Sequence, residues 1–547
     1  MPTVAEVVGR TLVGLGVRQV FGLIGSGNFD LSNALVDAGA RFVTARHETG
    51  ATTMADAYAR VSGEVGVVTL HPGCGLTNAV TGVTEAAKSR TPLLVLAGDT
   101  AAAAVRSNFR IDQDGLARAV SAVAERVHGP GSAAEDITRA HRFALMERRT
   151  VVVSLPMDVQ AATVAEESLI APLPTLPRPR PNDALVSRVA DLLMAAERPV
   201  LLAGRGARGR REILERLGER TGAVLATTAV ANGLFAGSPW SIGISGGFAS
   251  PVAARLIREA DVVLGLGAAL NMWSTRHGRL LGRVSSLIQV DLEPAAIGAH
   301  HPVDVGVVAD VGETAAALVA EIERRGGSGG SRRTPELRAE IEAGAWAKVP
   351  YEDAGTADAI DPRTLSIALD RILPRERTLA VDSGHFMGWP SQYLSVPDEA
   401  GFVFTQAFQC VGLGLATAIG AAVTRPDRLT VAALGDGGAL MGLADLETVA
   451  RLRLRMVVVV YNDCAYGAEV HHFGPHGKPL ELVRFPDTDF AALGRAVGLQ
   501  GITVRTREDL KALADWVRHG TEGGVVVDAK VVPSVVADWL EEAFRGH

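Results

Sequence analysis

Short apolar runs recur along the chain and alternate with stretches whose apolar residues fall three and four positions apart. Val4, Val7, Val8, Leu12 and Leu15 share one helical face, and residues 17–24 follow as a run of strand length. Further strand-like runs occupy residues 42–45, 65–70, 92–98 and 150–156, then 199–204, 261–267 and 287–291, then 378–381, 429–434 and 456–461. Residues 440–455 have the length and apolar spacing of one crossover helix between two such runs. The alternation predicts an α/β protein built on parallel sheets.

Two breaks interrupt the pattern. Residues 170–181, Ile-Ala-Pro-Leu-Pro-Thr-Leu-Pro-Arg-Pro-Arg-Pro, read as an extended linker, and residues 325–335, rich in Gly, Ser and Arg, as a flexible one. At 547 residues the chain is too long for one core. The breaks divide it into domains over 1–165, 184–324 and 359–547, with linkers over 166–183 and 325–358. A helix-like stretch, 336–348, leads into the third domain, where Asp361 and Pro362 suit the cap and first position of a helix.

Composition narrows the class. With 47% hydrophobic and 21% charged residues, the chain has the balance of a soluble globular protein. Its −7 charge comes from 54 basic and 61 acidic side chains without large blocks of one sign, so neither nucleic acid nor an anionic membrane is an expected partner. The N-terminus lacks the basic start and apolar core of a signal peptide, and no run approaches the roughly 20 apolar residues that span a bilayer. Cys74, Cys410 and Cys464 form no CxxC pair, and the expected location is the cytoplasm.

Candidate chemistry gathers at strand ends. The run 429–434 leads into Gly435-Asp436-Gly437-Gly438, and twenty-seven residues after Asp436 the run 456–461 has led into Asn462-Asp463-Cys464-Ala465-Tyr466-Gly467. Ligands of open α/β sheets bind at the carboxyl edge, where glycines let backbone N–H groups approach a phosphate. A carboxylate on one strand end and an oxygen ligand on the next would hold a hard cation such as Mg2+, with diphosphate oxygens completing its shell. In the first domain, residues 17–24 lead into Gly25-Ser26-Gly27-Asn28, and residues 65–70 into the loop from His71 to Asn78. Glu48 falls near the first turn of a helix, where the dipole favours a carboxylate. His71 could move protons near neutral pH, whereas Cys74 has no evident base to activate it.

These motifs resemble the signature of the thiamine-diphosphate enzymes of the acetolactate synthase, benzoylformate decarboxylase and pyruvate decarboxylase type, over essentially the whole chain. The resemblance implies three doubly wound parallel-sheet domains: pyrimidine-binding, central and diphosphate-binding. It implies Asp436, Asp463 and the main-chain carbonyl of Ala465 as Mg2+ ligands, with Asp463 where most relatives carry asparagine. Gly435, Gly437, Gly438, Tyr466 and Gly467 would bind the cofactor, and Gly384 and His385 would lie near its diphosphate. Gln409 opens a small-residue helix running through Ala422, and Val411 stands at the family's wedge position under the cofactor, smaller than the usual Met, Leu or Ile. Gly25 and Ser26 would line the substrate pocket. Gly73 and Asn78 would meet the pyrimidine, with Cys74 where the family has proline. Glu48 is implied as the acid that hydrogen-bonds pyrimidine N1′ from the opposite subunit and so activates the cofactor. His71 matches a histidine of benzoylformate decarboxylase and Glu469 a glutamate of pyruvate decarboxylase, and both would deliver protons. A homodimer or homotetramer with shared sites, acting on a small 2-keto acid, follows from the resemblance.

The middle domain leaves more open. Gly204-Arg205-Gly206-Ala207-Arg208-Gly209 satisfies Gly-x-Gly-x-x-Gly after a strand, but residues 223–228, where a ribose-binding acid would fall, hold none. Relatives carry FAD, an adenine nucleotide or nothing here, and the turn is compatible with each; Gly267 to Trp273 could shape a flavin groove or reach toward the active site. The expected reaction is 2-keto acid decarboxylation with carboligation, as in acetolactate synthase. The alternatives are a non-ligating benzoylformate-like decarboxylase, an FAD-dependent pyruvate-oxidase-like enzyme, and a non-catalytic cofactor-binding homologue. Residues 531–547 are open between a lid and outer packing.

Overall fold

The computed structural model describes residues 1–165, 176–327, 330, 332–520 and 522–545. Residues 166–175 of the expected proline-rich linker, 328, 329 and 331 of the second linker, and 546 and 547 at the end lie outside the described residues.

Three six-stranded sheets organise the chain, and every strand pairing in them is parallel. The first contains β1 (Gln19–Gly22), β2 (Arg41–Thr44), β3 (Gly66–Leu70), β4 (Leu93–Asp99), β5 (Val123–Arg126) and β6 (Thr150–Pro156), in the order β2-β1-β3-β4-β6-β5. The second contains β7 (Pro199–Ala203), β8 (Val224–Thr227), β9 (Ser241–Ile244), β10 (Val262–Leu266), β11 (Ser286–Asp291) and β12 (Val305–Val308), in the order β12-β11-β10-β7-β8-β9. The third contains β13 (Arg377–Val381), β14 (Phe402–Phe404), β15 (Leu429–Gly435), β16 (Met456–Asn462), β17 (Gln500–Val504) and β18 (Val525–Lys530), in the order β14-β13-β15-β16-β18-β17. Renumbered from one, the third order is the first repeated strand for strand.

The central strands β3, β4, β6, β10, β16 and β18 are buried along their whole length, because crossover helices cover both faces. Apolar runs made all of these but β18 visible in the sequence; β18, Val525–Lys530, went unread although it opens on three valines. The strands without a strong apolar run include edge strands such as β5, only half-buried, and β9, whose pairing with β8 shifts register at Leu225/Ala226. Residues 223–228, which hold no ribose-binding acid, are largely β8 itself.

The third domain departs from expectation in one element. In place of a continuous helix over 440–455 there is a helix from Asp436–Met441, a 3-10 turn at Leu443–Asp445 and a second helix from Leu446–Arg451. The break at Gly442 turns Asp445 toward the first domain, where its Oδ1 accepts the Arg46 N–H at 2.9 Å. Likewise the small-residue helix starts at Gly414 rather than Gln409, since Gln409 and Gly412 have φ of 56° and 94°.

First and third domains join through equivalent helices, each following the second strand of its sheet: Glu48–Ser62 and Gly414–Thr424. A Cβ on Gly420 would lie 2.3 Å from the Met54 carbonyl oxygen, so only glycine permits this approach. Beside the seam, the buried Glu85 accepts from Arg60 Nη2 at 2.8 Å and from the backbone N–H groups of Ala407 at 3.1 Å and Phe408 at 2.6 Å. Arg60 also donates to Asp56 and to the Phe404 carbonyl. Each buried charge has a partner of opposite sign, as burial demands.

Candidate active site

A cavity of about 830 Å³ opens at the carboxyl edge of the third sheet. Gly384, His385, Gln409, Val411, Gly435, Asp436, Gly437, Gly438, Asp463, Ala465, Tyr466, Gly467 and Glu469 all line it. β15 delivers Asp436 and β16 delivers Asp463 because the two strands pair in register, Gly435 beside Tyr461. Asn462 turns away: its side-chain amide donates to Asp528 at 3.0 Å and to the Thr488 carbonyl at 3.2 Å. Asp463 therefore faces the cavity and Asn462 anchors the strand end.

The donor set suits a divalent cation beside an anion. Burial raises the Asp436 carboxyl to about 6, and burial plus the charge of Asp436 raises Asp463 to about 7. The Ala465 N–H, 3.2 Å from Asp463 Oδ1, serves both carboxylates and leaves most of that repulsion in place. Among the described residues no cluster of three or more His, Cys, Asp or Glu is arranged to hold a metal; two carboxylates, one carbonyl and ligand oxygens form a set that needs none. A Cβ on Gly438 would fall 2.2 Å from Asp382 Oδ2 and one on Gly467 2.6 Å from Asp463 Oδ2, so the cradle is bare backbone where a phosphate would lie. His385 Nδ1 is buried on the same wall without a partner. These features fit a magnesium diphosphate.

The first domain holds a second group of expected residues. Glu48 starts its helix, buried, and its Oε2 accepts from Asn78 Nδ2 at 3.1 Å. His71 Nδ1 lies 3.0 Å from the Pro72 carbonyl, which can only accept, so that nitrogen carries the proton and Nε2 faces Ser26 Oγ at 3.4 Å. The ring leaves no room for a side chain on Gly25, whose Cβ would meet His71 Cδ2 at 2.4 Å. Cys74 does have a basic neighbour, His71 Nδ1 at 3.8 Å, contrary to the sequence expectation. With its proton committed to Pro72, that nitrogen is no base for the thiol. Gly73, at φ 62°, turns the loop against the Phe109 carbonyl.

None of Gly25, Ser26, Glu48, His71, Gly73 or Asn78 lines the cavity within the chain. Exposed apolar side chains flank both groups: Ile24, Phe29 and Phe109 near the first, Leu440, Met441 and Tyr466 near the second.

Three profiles of one family match consecutive parts of the chain. "Thiamine pyrophosphate enzyme, N-terminal TPP binding domain" covers residues 2–122, the central domain 186–318, and the C-terminal TPP binding domain 382–529. A sulfoacetaldehyde acetyltransferase of Rhodobacter capsulatus is 30% identical over 99% of this chain and 96% of its own length. The chain belongs to the thiamine pyrophosphate enzyme family. A Pseudomonas aeruginosa protein named "Probable 2-ketoarginine decarboxylase" is 31% identical over 95% of this chain and 92% of its own. A Methanocaldococcus jannaschii protein named "Probable acetolactate synthase large subunit" is 26% identical over 93% and 89%.

In this thiamine pyrophosphate enzyme the cavity extends beyond the cradle to the middle sheet, where Gly206, Gly267, Ala268, Asn271, Trp273 and Asp291 line it. Arg60, Arg90, Arg148 and Arg205 line the same stretch. Burial, then the charges of Arg148, Arg60 and Arg90, push Arg205 down to about 9. Sequence reading missed this cationic wall, apart from placing Arg205 in its glycine turn, because its members come from four separate segments. It also missed Gln406, a cavity-lining amide whose oxygen and nitrogen are both buried without partners. The C-terminal segment is more than outer packing: Trp539, Ala543 and Phe544 line the cavity, and Val532, Val535 and Leu540 belong to the core.

Proposed function

We propose that this enzyme decarboxylates a 2-keto acid with thiamine diphosphate and Mg2+ and passes the acyl fragment to an acceptor, at a site completed by a second copy of the chain. The observation that carries the reading is the division of the expected residues: a metal and diphosphate cradle at one strand edge, and Glu48, His71 and Ser26 outside it. Asp436, Asp463 and the Ala465 carbonyl would hold Mg2+, and His385 and the bare backbone of Gly437, Gly438 and Gly467 would receive the diphosphate. The bound cofactor supplies a carbon nucleophile for the keto carbonyl and a sink for the electron pair released with CO2. Glu48 holds a proton against the pyrimidine, Val411 supports the cofactor from below, and His71 and Glu469 exchange protons with the substrate. Exposed apolar side chains around both groups are of the kind that subunit association covers.

The length of the cavity favours carboligation over simple decarboxylation, since it leaves room for an acceptor. In its arginine wall Arg60 is held by Asp56 and Glu85 and Arg90 by Glu293, which leaves Arg148 and Arg205 to favour an anionic acceptor. The same wall, joined to the Gly204–Gly209 turn, supports FAD or an adenine nucleotide as a second reading, which flavin absorbance of gently purified protein tests.

Subunit complementation tests the shared site. Glu48→Gln and Asp436→Ala, each inactive in CO2 release from a 2-keto acid, are expected to recover about a quarter of wild-type activity when co-refolded in equal amounts, because half the dimers are mixed and each mixed dimer has one intact site of two. No recovery from correctly assembled mixed dimers sinks the two-copy site. Carboligation is then read by product analysis with acceptor present.

A further inference from the structure

The C-terminal segment reaches the cradle through histidine rings. The Ala537 N–H donates to His385 Nε2 at 2.8 Å, and the Trp539 indole N–H donates to the His385 carbonyl at 3.1 Å. A backbone N–H can only donate, so Nε2 is an acceptor and a neutral ring must carry its proton on Nδ1. Burial, and then the neighbouring His471, hold His385 down to about 3, so the ring is neutral at ordinary pH. Its Nδ1 is buried with no partner and lies 3.3 Å from where a Cβ on Gly467 would be. His471 packs beside it, ring centroids 4.4 Å apart. Pro533 has no N–H and meets His471 through its carbonyl, so that ring turns its proton toward the C-terminal segment and leaves Nε2 bare and unpartnered.

We propose that the backbone N–H of Ala537 is a positioning group for the diphosphate: by occupying Nε2 it fixes the His385 proton on Nδ1, and so presents a donor to the phosphate oxygens. With the proton on Nε2, the nitrogen facing the cradle would offer a lone pair to an anion. The Trp539 contact holds the His385 backbone, and burial of Val532, Val535, Ala537, Trp539 and Leu540 in the core keeps the donor in place. The inference rests on the reading of the cradle as a diphosphate site.

Nitrogen-15 spectra of the imidazoles in the cofactor-free full chain test it, with His385 assigned by signal loss in His385→Asn. The expected result is a protonated Nδ1 and a bare Nε2 at neutral pH. Ala537→Pro removes the one N–H; it is expected to spread the proton over both nitrogens and to weaken thiamine diphosphate binding roughly tenfold or more, read by tryptophan fluorescence with Mg2+ present. Ala537→Gly keeps the N–H and should match wild type in both measurements. A proton on Nε2 in the wild-type chain overturns the proposal, and so does an unmoved proton or an unchanged affinity in a folded proline variant. If the proline variant does not fold, the wild-type spectrum alone decides. A wild-type chain that binds no thiamine diphosphate overturns the cradle reading and this one together, whereas a proton on Nε2 with normal binding overturns this one alone.

Discussion

Gln406 sits in the cavity wall with neither end of its amide satisfied. A buried polar group without a partner costs about 1–3 kcal/mol, so the cofactor-free chain should gain from its removal. Gln406→Leu, close in volume, is expected to raise the urea midpoint of the apo protein by an amount equivalent to about 1 kcal/mol. If a ligand supplies the missing partners, the same variant binds that ligand more weakly. A lower midpoint would mean that the amide is already satisfied. At Asp463 the position carries more information than the residue type. Asn462 and Asp463 both carry oxygens, and β16 decides between them by directing one into the sheet end and the other into the cavity.

Among elements, the seam between the helices Glu48–Ser62 and Gly414–Thr424 positions Gln406, Gln409 and Val411 by way of Glu85. Glu85→Ala would leave Arg60 short of an anion and two backbone donors unpaired. A loss of about 3–5 kcal/mol is expected in denaturant melts, with Glu85→Gln losing less because it can still accept. A loss within about 0.5 kcal/mol would show that the loop is held otherwise. The elements also show what the sequence could and could not disclose. Strands buried on both faces tend to announce themselves as apolar runs, and residues 429–434 and 456–461 were legible with the turns that follow them, whereas the equally buried β8 and β18 were passed over. Half-buried β5 and the bulged β9 lack that signal. The helix expected over 440–455 failed because periodicity continues through Gly442, while the contact of Asp445 with Arg46, distant in sequence, fixes the break. The cradle was legible since each half lies within a few residues of one strand end. The arginine wall was not, since only folding brings Arg60, Arg90, Arg148 and Arg205 together.

For the molecule as a whole, the two cradle carboxylates link stability to pH and, through the proposed site, to metal. Their folded-state pKa values, about 6 for Asp436 and about 7 for Asp463, lie above the ordinary carboxylate value, so the folded apo chain binds protons more tightly than the unfolded one. The cost of burying the charges is fully present above about pH 7 and is relieved as pH falls through 7 and 6 toward the unfolded value near 4. The stabilisation conferred by Mg2+ with thiamine diphosphate should therefore be largest near pH 8 and smaller near pH 5, where protons compete for the same oxygens. Differential scanning fluorimetry at both pH values checks this, with Asp463→Asn as the control expected to flatten the dependence. Equal shifts at the two pH values would remove the pair from metal binding.

The repeated strand order of the first and third sheets has a further consequence. One architecture is used twice on a single chain, and in the proposed site each use would open its own strand-end loops to a different part of the same ligand. Because both modules are translated together, their stoichiometry is locked at one to one, and neither can accumulate in excess to occupy the other unproductively.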